Sequence, residues 1–121
     1  MTSNEEIQDG IRHVDHWSVL KVIKDHVVNY RLLSSTDDEF FDRWRLNSGI
    51  MNFIMQHGQV DFHGYSGSIY RCKLGDEGLN PIMASMLAQW QDRFENPNYS
   101  IRAIGFDQFM TEWETHKPKW N

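Results

Sequence analysis

The sequence predicts an α+β fold, in which a small mixed β-sheet carries helices packed on one face. The prediction rests on residues 59–105, where the spacing of apolar residues changes from two to about 3.6 and back to two. This succession predicts a hairpin, then a helix, then a further strand. The sheet is therefore expected to combine the hairpin with a β-α-β unit.

The hairpin is predicted from alternating apolar and polar residues at 60–63, a glycine-containing turn at 63–67 and a second extended run at 68–74. Cys72 lies in the second run and is the one cysteine of the chain. A lone cysteine cannot form an internal disulfide, and its place in the alternation predicts a small buried residue. Both features suit a reducing cytoplasm.

The helix that follows the hairpin has well-marked ends. Asn80 is a favourable N-cap, Pro81 takes the first helical position, and the residues Asn-Pro-Asn at 96–98 end the helix. Its apolar stripe consists of Met83, Met86, Leu87, Trp90 and Phe94. Burial of this stripe against the sheet makes Trp90 a predicted core residue. Residues 99–104 alternate as a strand, and a short terminal helix comes next.

The N-terminal half leaves two topologies open. Residues 16–33 gather apolar side chains on one helical face, which favours a helix, whereas the β-branched residues at 19–28 favour a strand. Thr36 and Glu39 form a capping box that opens a second helix, with Gly58 as its C-cap. A first helix gives the order α-α-β-β-α-β-α with three strands. A first strand gives the ferredoxin-like order β-α-β-β-α-β plus a C-terminal helix.

Length and charge limit the function. The 121 residues suit one domain over 1–121, with flexible ends at 1–9 and 117–121. The 12 Lys and Arg against 17 Asp and Glu are scattered, and phosphate binding needs clustered cations, so no nucleic-acid partner is expected. No apolar run approaches the roughly 18 residues of a membrane span, and the polar start is no secretory signal. We therefore expect a soluble, cytoplasmic protein with no membrane partner.

Polar residues that could carry chemistry concentrate around the hairpin, at 57–70. Asp61 and His63 are the candidates for catalysis, because an acid and an imidazole about 7 Å apart on one strand face can act on one small ligand. The ordinary polar face of a half-buried strand explains the same two residues without chemistry. His13 and His16 would suit a metal if they lay on a helix, but no third ligand stands at a matching spacing. No metal and no cofactor are predicted.

One segment resembles a known family. Arg71-Cys72-Lys73, followed by Leu79-Asn80 and the helix that contains Trp90, resembles the strand-to-helix segment of small phage enzymes that degrade S-adenosylmethionine. The resemblance covers about twenty residues and implies a ferredoxin-like fold. It also implies an alternative function, an enzyme that degrades S-adenosylmethionine, but it assigns no functional residues. For such a small-molecule enzyme the candidate site remains the hairpin at 57–70, chosen above from its own polar residues.

Three aromatic side chains outside the predicted core suggest a binding surface. Trp17 lies off the apolar arc of its predicted helix, Tyr65 occupies the hairpin tip, and Trp120 lies in the C-terminal tail, so the three cannot all belong to the core. Aromatic residues contribute much of the energy at protein interfaces. The sequence therefore suggests a small interaction or inhibitor protein of the kind that phages encode, binding another protein or a second copy of itself through these residues. That hypothesis involves no enzyme activity.

Overall fold

The computed structural model describes residues 11–36 and 43–118. These residues form strands β1 (Ile11–His13), β2 (His16–Lys24), β3 (Val27–Thr36), β4 (Arg43–Leu46), β5 (Ile50–Gln56), β6 (Gln59–Gly64), β7 (Ile69–Lys73) and β8 (Tyr99–Ile104), and helices α1 (Pro81–Phe94) and α2 (Phe106–His116). Sheet A has the strand order β1-β7-β6-β5, and sheet B has the order β4-β3-β2-β8. The predicted α+β class is confirmed, but with two open sheets instead of one.

Sheet B lies at the centre of three layers. Helix α1 covers one of its faces in a cluster made by Leu20, Val22, Leu33, Met83, Leu87 and Ile101. The opposite face packs on sheet A and on α2 in a larger cluster that includes Trp17, Val19, Leu32, Phe62, Cys72, Phe106 and Phe109. Because sheet B is covered on both faces, its central strands bury side chains at successive positions.

The predicted helix over residues 16–33 is wrong, because this segment forms the antiparallel pair of β2 and β3. The chain turns at Asp25 and His26, whose φ angles of 50° and 70° suit a two-residue hairpin turn that twists with its strands. The alternative of a strand over 19–28 is right for residues 19–24 and 27–28, which are extended, but the turn at residues 25 and 26 divides them between β2 and β3. Ser34 and Ser35, between the two predicted helices, lie buried in β3.

The predicted second helix is also replaced by strands. Thr36 is the last residue of β3 and pairs with Arg43 of β4, whereas Glu39, its expected partner in the capping box, lies outside the described residues. Residues 50–56 form β5. His57 and Gly58 have φ angles of 50° and 76° and make the turn between β5 and β6, so Gly58 serves a hairpin and not a helix end.

The chain passes from sheet B to sheet A between β4 and β5. Asn47 is buried there, and its side-chain Oδ1 accepts hydrogen bonds from the backbone N–H of Leu32 at 2.7 Å and of Gly49 at 3.2 Å. Gly49 has a φ of 131°, and a Cβ at this position would lie 2.7 Å from the ring of Tyr65. Only glycine therefore permits both the backbone angle and the close approach of the tyrosine.

The C-terminal elements are confirmed. Strands β6, β7 and β8 and helices α1 and α2 form where they are predicted, and Asn80 Oδ1 accepts the N–H of Met83 at 2.9 Å as an N-cap. However, β7 belongs to sheet A, whereas β8 pairs antiparallel with β2 in sheet B. The predicted β-α-β unit within one sheet is therefore wrong, and the ferredoxin-like topology is not confirmed.

Candidate functional site

The aromatic residues predicted to bind a partner differ in their exposure to solvent. Trp17 has no exposed surface, and its Nε1–H donates to the carbonyl of Lys73 at 2.7 Å, so its predicted exposure is wrong. Tyr65 is 43% exposed in the turn between β6 and β7, as expected. Trp120 lies outside the described residues. Trp90 is half-buried at the edge of the core, where its ring meets the ring of Trp44 edge to face at 5.4 Å.

Asp61 and His63 share one face of β6, as predicted, but Asp61 is occupied by an ion pair. Arg71 Nε and Nη2 donate to its two carboxylate oxygens at 3.0 and 2.9 Å, and these bonds raise the pKa of Arg71. Tyr70 is 6% exposed and projects from the opposite face of the sheet. Asp61 and His63 therefore do not share one concave site with Tyr70.

The two histidines considered as metal ligands and the single cysteine all lie on strands. His13 ends β1 in sheet A and His16 begins β2 in sheet B, so they do not lie one helical turn apart. Within residues 11–36 and 43–118, no group of three or more ligating side chains could hold a metal ion. Cys72 is fully buried, which confirms the prediction, and burial raises the pKa of its thiol.

A charged cluster beneath α2 has a structural role. Glu112 accepts hydrogen bonds from the Tyr30 hydroxyl at 2.6 Å and from Gln108 at 2.8 Å, and it forms an ion pair with Lys21 at 2.8 Å. The bonds from Lys21, Tyr30 and Gln108 lower the pKa of Glu112 to about 2, while burial raises the pKa of Tyr30. The cluster fastens α2 to strands β2 and β3 of sheet B.

The feature most suited to binding is the β5 edge, which we define as the free side of strand Ile50–Gln56. Among the described residues, strand β5 ends sheet A and pairs with β6 alone. Gln56 and Gln59 flank a two-residue turn, so they exchange two backbone hydrogen bonds, and every second pair along the ladder does the same. The backbone groups of Phe53 and Met55 consequently point away from β6. No residue in the described part of the chain bonds to them.

Two apolar side chains of β5 are accessible. Ile54 is 51% exposed and Met55 is 47% exposed, on opposite faces of the strand. Near the start of β5, Met51 and Asn52 line a cleft of about 520 Å³ whose far wall is the end of α2, at Trp113. The β5 edge therefore combines unpaired backbone groups, exposed apolar side chains and an adjacent cleft.

The β5 edge is also uncharged. Residues 46–60 include no Lys, Arg, Asp or Glu, although such residues make up 24% of the chain. The other edge strands of the two sheets each contain arginine: β1 has Arg12, β4 has Arg43 and Arg45, and β8 has Arg102. Charge on an edge strand protects it from pairing with further strands, and β5 lacks that protection. This uncharged run is the sequence signal that could have indicated the site.

No protein-family model, curated protein or solved structure matches this chain. In the part of the chain that the structure describes, neither helix has the length and apolar character needed to cross a membrane. The geometry of the site is thus the basis for a functional conclusion.

Proposed function

We propose that this chain is a small interaction protein that binds an extended segment of a partner protein at the β5 edge. The single observation that carries the proposal is the uncharged edge of β5, which no strand within residues 11–36 and 43–118 pairs with, and which has Ile54 and Met55 half exposed on its two faces. A strand added there would form a fifth strand of sheet A. Backbone hydrogen bonds would supply affinity, and the side chains on alternate positions would supply selectivity.

Strand β5 is a better site for an added strand than the short, charged edges β1 and β4. Strand β1 has three residues and β4 has four, and both carry arginine, whereas β5 has seven residues without charge. One feature of β5 limits the usable length. The pairing with β6 shifts between Ile50 and Asn52, and such a bulge bends the strand. The regular and accessible part of the edge is therefore Asn52–Gln56.

The β5 edge does not include the aromatic residues that the sequence suggested for binding. Trp17 is buried, and Tyr65 lies at the turn between β6 and β7, where its ring lies close to Gly49. We place the protein in the cytoplasm, in keeping with the buried free thiol of Cys72. An inhibitory role would follow if the bound segment were one that the partner needs for its own sheet.

A displayed library of random peptides of about nine residues, a length that spans a typical strand, tests the proposal. Selection on the immobilised protein should enrich uncharged peptides with β-branched and aromatic residues at alternate positions. The Met55→Pro variant removes one outward N–H and should weaken binding of the selected peptides by about tenfold. Its own fold should persist, because that N–H makes no bond within the sheet.

A matched pair of lysine variants provides the control. Met55→Lys places a charge on the β5 edge and should also abolish enrichment, whereas Val27→Lys changes an exposed apolar residue of sheet B and should leave enrichment intact. Both should remain within about 0.5 kcal/mol of the parent in stability. Peptides that bind all three variants equally would show that the β5 edge is not the binding surface.

A further inference from the structure

The partner strand that best fits the β5 edge is β5 of a second copy. We infer that two chains pair through antiparallel β5 strands related by a two-fold axis at Ile54, which joins two copies of sheet A into one eight-stranded sheet. The inference rests on the proposed function, since it identifies the partner for the same edge.

The hydrogen-bonding pattern permits this symmetry. Phe53 and Met55 carry the outward backbone groups and lie on either side of Ile54. In an antiparallel pair centred on Ile54, Phe53 of one chain faces Met55 of the other, and each of these two pairs exchanges two hydrogen bonds. All outward groups of the regular segment Asn52–Gln56 are then satisfied.

The side chains also match under this symmetry. On the outer face, Ile54 meets the partner's Ile54, and Asn52 meets the partner's Gln56, so that apolar contacts apolar and amide contacts amide. On the other face, Phe53 meets the partner's Met55, a pairing of an aromatic ring with a thioether that is favourable. The two half-exposed residues, Ile54 and Met55, both become covered.

Charge selects a second copy over a charged partner strand. The chain has a formal charge of −5, yet the paired segment has none, so self-pairing places no like charges opposite each other. Equivalent self-pairing of β4 would bring its arginines, Arg43 and Arg45, towards those of the other copy. A register centred one residue earlier, on Phe53, would place Asn52 against Ile54 and include the bulge at Met51. The axis at Ile54 avoids both mismatches.

Disulfide trapping tests both the dimer and its register. Directly opposed residues without shared hydrogen bonds have Cα atoms about 4.5 Å apart, which lies within the range that a disulfide spans. Ile54→Cys should therefore form a covalent dimer under mild oxidation. Asn52→Cys is the matched control on the same face, because the two copies of residue 52 would lie about 13 Å apart along the strands. The native Cys72 is buried and should not react.

Charge exchange at the axis provides an independent measurement. Ile54→Lys and Ile54→Glu should each raise the dimer dissociation constant at least about tenfold in sedimentation velocity, because like charges then face each other. Mixing the two variants should restore a dimer in which Lys faces Glu. Efficient trapping of a mixture of Asn52→Cys with Ile54→Cys chains, without trapping of Ile54→Cys alone, would overturn the register.

The outcomes separate this inference from the proposed function. Wild-type protein that stays monomeric at millimolar concentration, together with no trapping of Ile54→Cys, would overturn self-pairing while leaving peptide selection as a separate result. Protection of the Phe53 and Met55 amides from hydrogen exchange that is independent of concentration would assign the edge to another segment of the same chain and would also overturn self-pairing. If peptide selection fails too, the proposed function falls with it.

Discussion

Replacing Trp17 with alanine should destabilise the fold more than most other substitutions. Its side chain has no exposed surface and lies between the sheets, with ring centroids 5.4 Å from Phe62 and 5.5 Å from Phe106. Its indole N–H bonds to the Lys73 carbonyl, which links β2 of sheet B to β7 of sheet A. Replacement by alanine therefore removes packing and a hydrogen bond that join the two sheets.

The expected cost follows from these contacts. Trp→Ala substitutions in cores cost about 3–5 kcal/mol, and the unpaired Lys73 carbonyl adds about 1 kcal/mol. Trp17→Ala should therefore lose about 4–6 kcal/mol, which is a large part of the 5–15 kcal/mol of stability typical of a domain of about this size. Trp17→Phe keeps a ring but loses the N–H and part of the volume, so it should lose about 1–3 kcal/mol.

Urea unfolding followed by circular dichroism at 25 °C measures these losses. Trp44→Ala is the control, because Trp44 is 36% exposed and contacts Trp90 at the periphery, so its loss should be nearer 1 kcal/mol. A cost for Trp17→Ala below about 1 kcal/mol, or one equal to that of Trp44→Ala, would refute the assignment of Trp17 to the junction between the sheets.

Two further predictions concern α2 and α1. Glu112 has a pKa of about 2 in the folded protein against an ordinary 4.5. Its ionised form therefore stabilises the folded state, by about 2 kcal/mol once solvent screening is allowed for. This stabilisation is fully present above pH 4.5 and is lost as the pH falls toward 2. In chemical unfolding, Glu112→Gln should therefore have a lower free energy of unfolding than the parent at pH 6, and the difference between the two proteins should become smaller toward pH 2. A difference that does not change with pH would contradict the contacts with Lys21 and Tyr30. Asn80→Ala should cost about 1 kcal/mol by removing the N-cap of α1, whereas Asn80→Asp should retain most of the stability; equal losses for both would show that the cap acceptor is unimportant.

The C-terminal half was predictable because its signals are local. Asn80 and Pro81 mark the start of α1 through the chemistry of one helical turn, and the alternation at 60–63 marks a strand whose two faces meet different surroundings. Cys72 follows from the same alternation. The uncharged run that contains β5 was also present in the sequence, but it indicates a binding edge only when β5 is known to end a sheet.

The N-terminal half was mispredicted because tertiary structure removes the usual strand signal. Sheet B is buried on both faces, so the successive residues from Trp17 to Leu20 are all buried and show no alternation. A two-faced apolar run of this kind cannot be distinguished from a buried helix by periodicity. The turn at Asp25 and His26 has left-handed backbone angles but contains no glycine. The sequence therefore lacks the usual signal of a two-residue hairpin turn.

The sequence by itself determined the α+β class, the C-terminal elements and the burial of Cys72, because caps, turns and alternation act over a few neighbouring residues. Only the tertiary structure decided that β8 pairs with β2, that Trp17 lies between the sheets and that β5 ends sheet A. Strand partners are chosen by contacts between residues far apart in the chain. A residue at a sheet edge and one at a sheet centre can carry the same local pattern, so the pattern alone does not locate an edge.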